Sequence, residues 1–354
     1  MLTAEQLFII DLLATLAPYT IVTLSLNLEY GYGGIPNFGK TIAVAGGAFL
    51  VGALPGRLLA LMLGLNASAY ISNNAKIVTQ INGVLQTNIL LSIAILVLSL
   101  VLAMGVGAGL GYLAACPAIR LRAEYLAMTF LAFGEVILVI GYNYPELVGG
   151  TIGVSVPDVF AWAGEMRFPA ITFFMLFMAV LVFLYVERLT NSPLGRLLRA
   201  IRDNEEAALA LGKDITKIRM RTIMLASAIA ALGGALYAFY AGSVIATAYH
   251  RVGWTFWPWV MVILGGAANN FGVILGTFAF VAVRKLIIYN KAALAPYIPF
   301  DVVWLDMLIL GLALLIILLY KPEGLIPEKP TRTLDAGRLQ RLRERLEKVG
   351  VEEA

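Results

Sequence analysis

Nine stretches of this 354-residue chain are long and apolar enough to lie inside a lipid bilayer, near residues 8–28, 41–63, 88–114, 124–142, 168–187, 222–244, 256–268, 271–290 and 302–320. A helix needs about 20 apolar residues to cross a hydrocarbon core about 30 Å thick, and every backbone N–H and C=O there must find its partner inside the protein. The expected fold is an all-α polytopic membrane protein with about nine transmembrane helices, eight or ten being the alternatives. The seventh stretch is short and reads equally as a broken or re-entrant segment, since LGGAANNFG at 264–272 carries three glycines and two asparagines.

Composition narrows the function classes. Hydrophobic residues make up 60% of the chain and charged ones 14%, with mean hydropathy +0.85, whereas a soluble domain has about 25% charged residues. One cysteine, Cys116, and one histidine, His250, supply neither a disulfide nor a Cys/His metal cluster. A conduit is favoured over an enzyme, and neither a cofactor of its own nor a nucleic-acid partner is expected. The N-terminal MLTAEQLFIIDLL lacks the basic region of a cleaved leader and reads as part of a retained first span.

Lysine and arginine near span ends mark the cytoplasmic side. Arg188, Arg196, Arg199, Arg202, Lys213, Lys217, Arg219 and Arg221 fall in one connection (188–221), and Lys321, Lys329, Arg332, Arg338, Arg341, Arg343, Arg345 and Lys348 in the tail. Both belong inside, which requires an even number of crossings between them. Counting backwards places the N-terminus outside, the C-terminus inside, and the asparagine-rich loop at 64–87 outside. Arg284 and Lys285, near the outer end of their span, run against this arrangement.

The stretch GGIPNFGKT at 33–41 satisfies G-x-x-x-x-G-K-[ST] from Gly34 to Thr41, the pattern of a phosphate-cradling P-loop. A P-loop needs a buried strand before it and a soluble α/β domain around it. Here the pattern sits in a short connection between the first two spans, where small residues serve close helix approach or a break.

The connection NSPLGRLLRAIRDNEEAALALGKDITKIR (191–219) can be read residue by residue. Ser192 before Pro193 starts a helix whose apolar stripe, Leu194, Leu197, Leu198 and Ile201, is expected opposite Arg196, Arg199 and Arg202. Asp203 and Glu206 have the spacing of a capping box, and Gly212 is placed to end a short second helix of about 204–211. A stiff helix held between two spans can carry a push from a soluble partner into the membrane.

Glu206-Ala207-Ala208-x-x-x-Gly212 resembles the EAA-x-x-x-G coupling motif of ATP-binding cassette (ABC) importer permeases, though Ile223-Met224-Leu225 lies one residue late for the rest of the motif and Ala226 stands in place of its proline. The likeness widens to LRAEYLAMTFLAFGE (121–135), LVGGTIGV (147–154), MVILGGAANNFGVILG (261–276) and YKPEGL (320–325), which resemble successive blocks of LivM-type branched-chain amino acid permeases. YGYGGIPNFGKTIAVAGGAF resembles the early glycine-rich block of that family, with Lys40 a departure from it.

The resemblance implies a permease domain over 1–325 in a prokaryotic cytoplasmic membrane. It also implies two ATPase subunits that bind ATP and Mg, a second LivH-like permease, an external binding protein, and an amino acid as the solute. It assigns Asp203, Glu206, Ala207, Ala208 and Gly212 to ATPase coupling. Urea and short-amide permeases look similar, so those solutes stay open, as does an ion-coupled secondary transporter in which Glu135 carries a proton.

Polar groups inside apolar stretches are the remaining candidates. Glu135 is expected to face the bundle interior as a pathway residue or as an interhelical hydrogen-bonding group, with Thr129 roughly on its side. Asn269 and Asn270 either line a cavity or form a turn. Arg57 is expected to snorkel, and Trp254, Trp257 and Trp259 to form an interfacial belt. In the tail, 326–354, Leu339, Leu342, Leu346 and Val349 give one apolar side to an amphipathic helix.

Overall fold

The structure is a computed structural model that describes residues 4–291 and 303–328, together with 337, 340 and 341. The amphipathic tail expected at 326–354 lies almost wholly outside the described residues. Seven described helical segments are long and apolar enough to cross a membrane: Glu5–Tyr32, Lys40–Met62, Ile89–Ala118, Ala123–Asn143, Ala161–Thr190, Ile215–Ala241 and Asn270–Tyr289.

In chain order the helices are α1 (Ala4–Asn27), α2 (Lys40–Ala53), α3 (Pro55–Met62), α4 (Asn74–Thr87), α5 (Ile89–Ala118), α6 (Ala123–Asn143) and α7 (Pro145–Val148). There follow α8 (Arg167–Thr190), α9 (Pro193–Asp203), α10 (Glu205–Ala210), α11 (Ile215–Ala241), α12 (Trp257–Gly265), α13 (Asn270–Tyr289) and α14 (Val303–Tyr320). The two remaining apolar stretches are the nine-residue α12, extended at its start by a π-turn over Val252–Phe256, and α14.

Residue size explains which helices sit at the centre. The most apolar windows of α11 and of α2 with α3 are 78% and 72% buried, against 28–33% for α5, α6 and α8. The central pair is rich in small residues (KTIAVAGGA and LASAIAALGGALYA), so the backbones meet closely. A Cβ on Gly47 would fall on the Ala231 carbonyl, and one on Gly234 on the Val44 carbonyl. The outer helices carry large exposed apolar side chains such as Leu90, Met128 and Phe173, the surface a helix presents to lipid.

Two features were not expected. A two-residue antiparallel pair joins β1 (Val154–Ser155) to β2 (Ser243–Val244), with Val154 opposite Val244. The asparagine-rich segment is largely helix: Ile77, Val78, Ile81 and Leu85 bury one face of α4. Its asparagines bind the strand region, Asn74 Oδ1 accepting from Ser155 N at 2.7 Å and Asn82 Oδ1 from Asp158 N at 2.8 Å.

The tryptophan belt is also corrected. Trp254 and Trp259 are 3% and 7% exposed, because each has aromatic and hydrogen-bonding partners inside the bundle. Trp254 stacks on Tyr19 at 5.0 Å and donates Nε1 to Ala248 O, while Trp259 stacks on Phe38 at 4.5 Å and donates Nε1 to Asn37 O. Arg57 does not simply reach for solvent; it donates to the carbonyls of Ala53 and Glu146 and lies over the Tyr70 ring.

Candidate functional site

The connection between α8 and α11 folds into two short helices seated on one end of the bundle. Ser192 Oγ accepts from Leu194 N and Pro193 occupies the first turn, which fixes the start of α9. Leu198 and Ile201 are buried, Leu198 packing with Leu28, Tyr32, Ala226 and Ala268. The arginines do not all face away, as the stripe pattern had suggested. Arg199 lies over the Tyr32 ring at 4.9 Å, and Arg202 donates to Gly31 O at 2.6 Å. Both also pair with Glu328, at 3.5 Å and 3.0 Å. The desolvated face of α9 thus clamps the end of α1 to the segment that follows α14.

The next helix starts one residue later than the expected capping box. Asn204, not Asp203, is the cap: its backbone is extended (φ −155, ψ 100) and its side chain accepts from Ala207 N. Asp203 is the last residue of α9 and pairs with Arg202 at 2.9 Å, and Glu206 is exposed without the reciprocal bond of a capping box. Gly212 follows the helix with φ +72 and open space where a Cβ would stand, as a left-handed C′ residue requires.

Glu205 receives both guanidinium N–H groups of Arg219, at 3.0 and 2.9 Å, tying α10 to α11. Ala208 is buried against Ile201 and Ile215. Ala207 is exposed beside Leu209 (54%) and Leu211 (77%). These leave small and apolar side chains exposed on a braced helix.

Beneath this end lie two breaks in the bundle. In the first, α1 runs into a π-turn over Leu28–Tyr32, and the P-loop-like segment carries the chain into α2. Glu29 and Lys40 are both completely buried, with Nζ 2.7 Å from Glu29 Oε2, and Asn37 Nδ2 donates to the same oxygen at 3.0 Å. Thr41 Oγ1 meets Thr255 Oγ1 at 2.9 Å, joining this break to the π-turn before α12. A P-loop enters from a strand and directs its lysine at phosphate; here the segment follows a helix and its lysine is held by a carboxylate.

The second break, 266–269, lies between α12 and α13. Asn269 caps α13 by accepting from Gly272 N at 3.1 Å and donates to Pro327 O at 2.9 Å. Asn270 donates to Glu187 Oε2 at 2.7 Å and Thr190 Oγ1 at 3.1 Å, and accepts from Asn27 at 2.9 Å. The segment after α14 finishes α12: Leu325 N and Ile326 N donate to the carbonyls of Leu264 and Gly265. This gives the YKPEGL block a physical role, closing carbonyls that a helix end leaves open.

The structure brings Asn269 and Asn270 together in this turn and does not place Glu135 or Thr129 near them. Contrary to the expected inward orientation, the Glu135 side chain is 41% exposed, with Arg251 at 3.2 Å. Thr129 bonds its own helix at Tyr125 O. Sequence reasoning missed Glu29, Arg251, Glu205 and Arg219. The signal for Glu29 was present: two opposite charges bracketing a break in apolar sequence call for each other.

Both breaks, 28–39 and 266–269, and the loop between α8 and α11 lie within one match. The model of the family described as branched-chain amino acid transport system / permease component aligns with residues 8–318. The chain belongs to this family.

The protein named probable branched-chain amino acid transport permease protein LivM of Methanocaldococcus jannaschii is 44% identical over 320 residues, covering 89% of this chain and 92% of that protein. The high-affinity branched-chain amino acid transport system permease proteins LivM of Salmonella typhimurium and Escherichia coli are each 28% identical, over 254 and 243 residues. Those matches cover 64% and 61% of this chain and 56% and 54% of the two relatives. No solved structure matches. This permease is a multi-pass membrane protein of the LivM type.

Proposed function

We propose that this permease is one membrane subunit of an ABC importer for branched-chain amino acids, nine-spanning, with its N-terminus outside and C-terminus inside the prokaryotic cytoplasmic membrane. It works with a second, LivH-like permease, two ATPase subunits and an external binding protein. The observation that carries the reading is α10: a capped helix with Ala207, Leu209 and the following Leu211 exposed, braced on both sides. A force on that face has two routes inward. Glu205–Arg219 leads into α11, whose most apolar window is 78% buried, and α9 leads through Arg202 to the π-turn at the end of α1. Closing and reopening of the ATPase pair would thereby bias the bundle between two accessibilities, as a partner with different affinity for the two states must.

Coupling is tested at Gly212. Its left-handed backbone disfavours a β-branched residue by about 1–3 kcal/mol, while nothing around it would clash. Gly212→Val should leave membrane insertion intact but reduce ATP-driven leucine uptake in vesicles at least about tenfold, a change of about 1.4 kcal/mol in coupling free energy. Unchanged uptake would remove this loop as the coupler. Uptake of urea or acetamide in place of leucine would redirect the solute assignment.

A further inference from the structure

The outer helices α5 and α8 are apolar at mid-depth: α5 holds no charged residue, and those of α8, Arg167, Glu187 and Arg188, stand at its ends. The third outer helix, α6, differs. Beyond Glu124 in its first turn it carries one more charge, Glu135, which a rise of 1.5 Å per residue places about 18 Å from the start of α6 and about 12 Å from its end. That is the middle of a hydrocarbon core about 30 Å thick. Yet the Glu135 side chain is 41% exposed, and that of Arg251, 3.2 Å away, is 49% exposed.

One flank of α6 is packed and this one is open. A Cβ on Gly39 would fall on the Phe130 carbonyl, and one on Gly141 on the Phe49 ring and Ala246, so Phe130 and Gly141 face the bundle. Gly134 lies on the same side, with Gly39 as its neighbour. Glu135 stands about 100° further round the helix, on a stripe with Met128 and Val139, both exposed. Beside the stripe lie the first break and the π-turn before α12. Arg251 precedes that turn and Phe256 ends it. Phe256 meets Phe38 edge-on at 6.3 Å, Phe38 stacks on Trp259, and Trp259 packs on Tyr30 at 4.4 Å. Phe256, Phe38 and Tyr30 are each partly exposed. The strip runs from mid-depth to the end of the bundle that carries α9, where Arg202 holds the Gly31 carbonyl.

Glu135 and Arg251 satisfy each other; what their exposure reveals is the medium beside them. Charged groups within membrane spans face a protein interior or a water-filled cavity rather than lipid. Broken helices mark the depth at which transporters meet their solutes, and both π-turns reach this flank.

We propose that the flank of α6 at Met128, Glu135 and Val139, with Arg251, Phe256 and Phe38, is this chain's wall of the water-filled solute pathway, the opposite wall belonging to the second permease. The assignment rests on the two-permease importer reading above and adds to it which surface of this subunit the solute passes.

The test is aqueous accessibility in the permease with its partner subunits in lipid nanodiscs. Cys116, the one cysteine of the chain, is replaced by serine. Single cysteines are then introduced by Met128→Cys and Val139→Cys on the proposed wall and by Phe177→Cys on the exposed outer face of α8. A cationic methanethiosulfonate is applied to the nucleotide-free complex and to the complex with a non-hydrolysable ATP analogue. Both wall positions should react at least about tenfold faster than position 177 in one state or the other, because the reactive thiolate forms in water and is suppressed in apolar surroundings. Labelling as slow at 128 and 139 as at 177 in both states would overturn the proposal. If neither wall variant assembles, hydroxyl-radical footprinting of the unaltered complex answers the same question through Met128: oxidation supports the wall, and protection in both states overturns it. Leucine uptake measured in parallel in liposomes separates the two readings. ATP-driven uptake with slow labelling sinks the wall and leaves the importer, whereas uptake by this chain alone under an ion gradient sinks the importer and the facing permease with it.

Discussion

Helix ends are completed in two different ways in this permease. In the loop between α8 and α11 each end is closed by a residue at most three positions away: Ser192 for α9, Asn204 and Gly212 for α10, Asp214 for α11. Inside the bundle the breaks at 28–39 and 266–269 have local bonds too, such as the Asn269 cap of α13, but they also require remote groups. Lys40 answers Glu29, Thr255 answers Thr41, and Leu325 and Ile326 answer the end of α12. Water explains the difference. An exposed helix end loses only its local cap, because solvent can replace it. A break at membrane depth leaves each unmet polar group in an apolar medium, so the partner must be brought from another helix. The first arrangement can move without unfolding anything; the second holds the bundle together.

The largest expected effect is therefore at the buried ion pair. Lys40→Met leaves the Glu29 carboxylate buried with Asn37 alone and should cost about 3–5 kcal/mol, whereas Glu29→Gln with Lys40→Met removes both charges and should recover most of that loss. Unfolding midpoints in mixed detergent for the wild type, the single and the double variant form the cycle. A single variant as stable as the wild type would mean that the pair does not support the break.

Next in size is the asparagine that joins three helices. Asn270→Leu strips partners from Glu187, Thr190 and Asn27 at once, and unsatisfied buried groups cost about 1–3 kcal/mol. The same unfolding assay should show a global loss smaller than that of Lys40→Met. A drop confined to the segment after α14, visible as protease cleavage near residue 325 with the midpoint unchanged, would show instead that this turn serves only its local attachment.

The same contrast decides what could be read from the sequence. Apolar stretches and local caps were legible, since a span is a property of composition and a cap is a property of three or four neighbouring residues. The one error among the caps is instructive: Asp203 and Asn204 are both good cap formers, and the chain uses Asn204 because Asp203 still belongs to α9 and pairs with Arg202. The interior closures were not legible. Asn269 reaches a carbonyl 58 positions away, Asn27 a residue 243 away. Lys40 was visible as a lysine of P-loop pattern and Glu29 as an opposite charge across the same break, but no spacing rule marks the π-turn that brings the two together. Trp254 and Trp259 followed the belt rule in composition and broke it in place, because aromatic partners and carbonyl acceptors wait for them inside.

On the solvent side the effects should be smaller and local. Asn204→Ala removes the acceptor for Ala207 N and should cost about 1 kcal/mol, spent on α10 alone. Hydrogen exchange should accelerate at α10 while α2 and α11 stay protected. Exchange that spreads into α11 would mean that α10 and α11 open as one unit, and the Glu205–Arg219 link would then be the place where coupling is made.

The smallest expected effect is electrostatic and sits at the start of α11. Asp214 Oδ1 accepts from Lys217 N at 3.0 Å and Oδ2 lies 3.1 Å from Lys217 Nζ. The backbone N–H of Lys217, and then its side chain, hold the Asp214 carboxyl below its ordinary value of 3.8. Because the folded value is the lower one, the stabilisation is fully present above the unfolded value and disappears as pH falls through the folded value. Protection of the first-turn amides of α11, normalised to intrinsic exchange, should hold down to about pH 4 and decline below it. In Asp214→Asn an acceptor remains but the charge does not, so the decline should flatten. A decline of equal size in that variant would place the titrating group elsewhere, and the cap of α11 would owe its strength to geometry rather than charge.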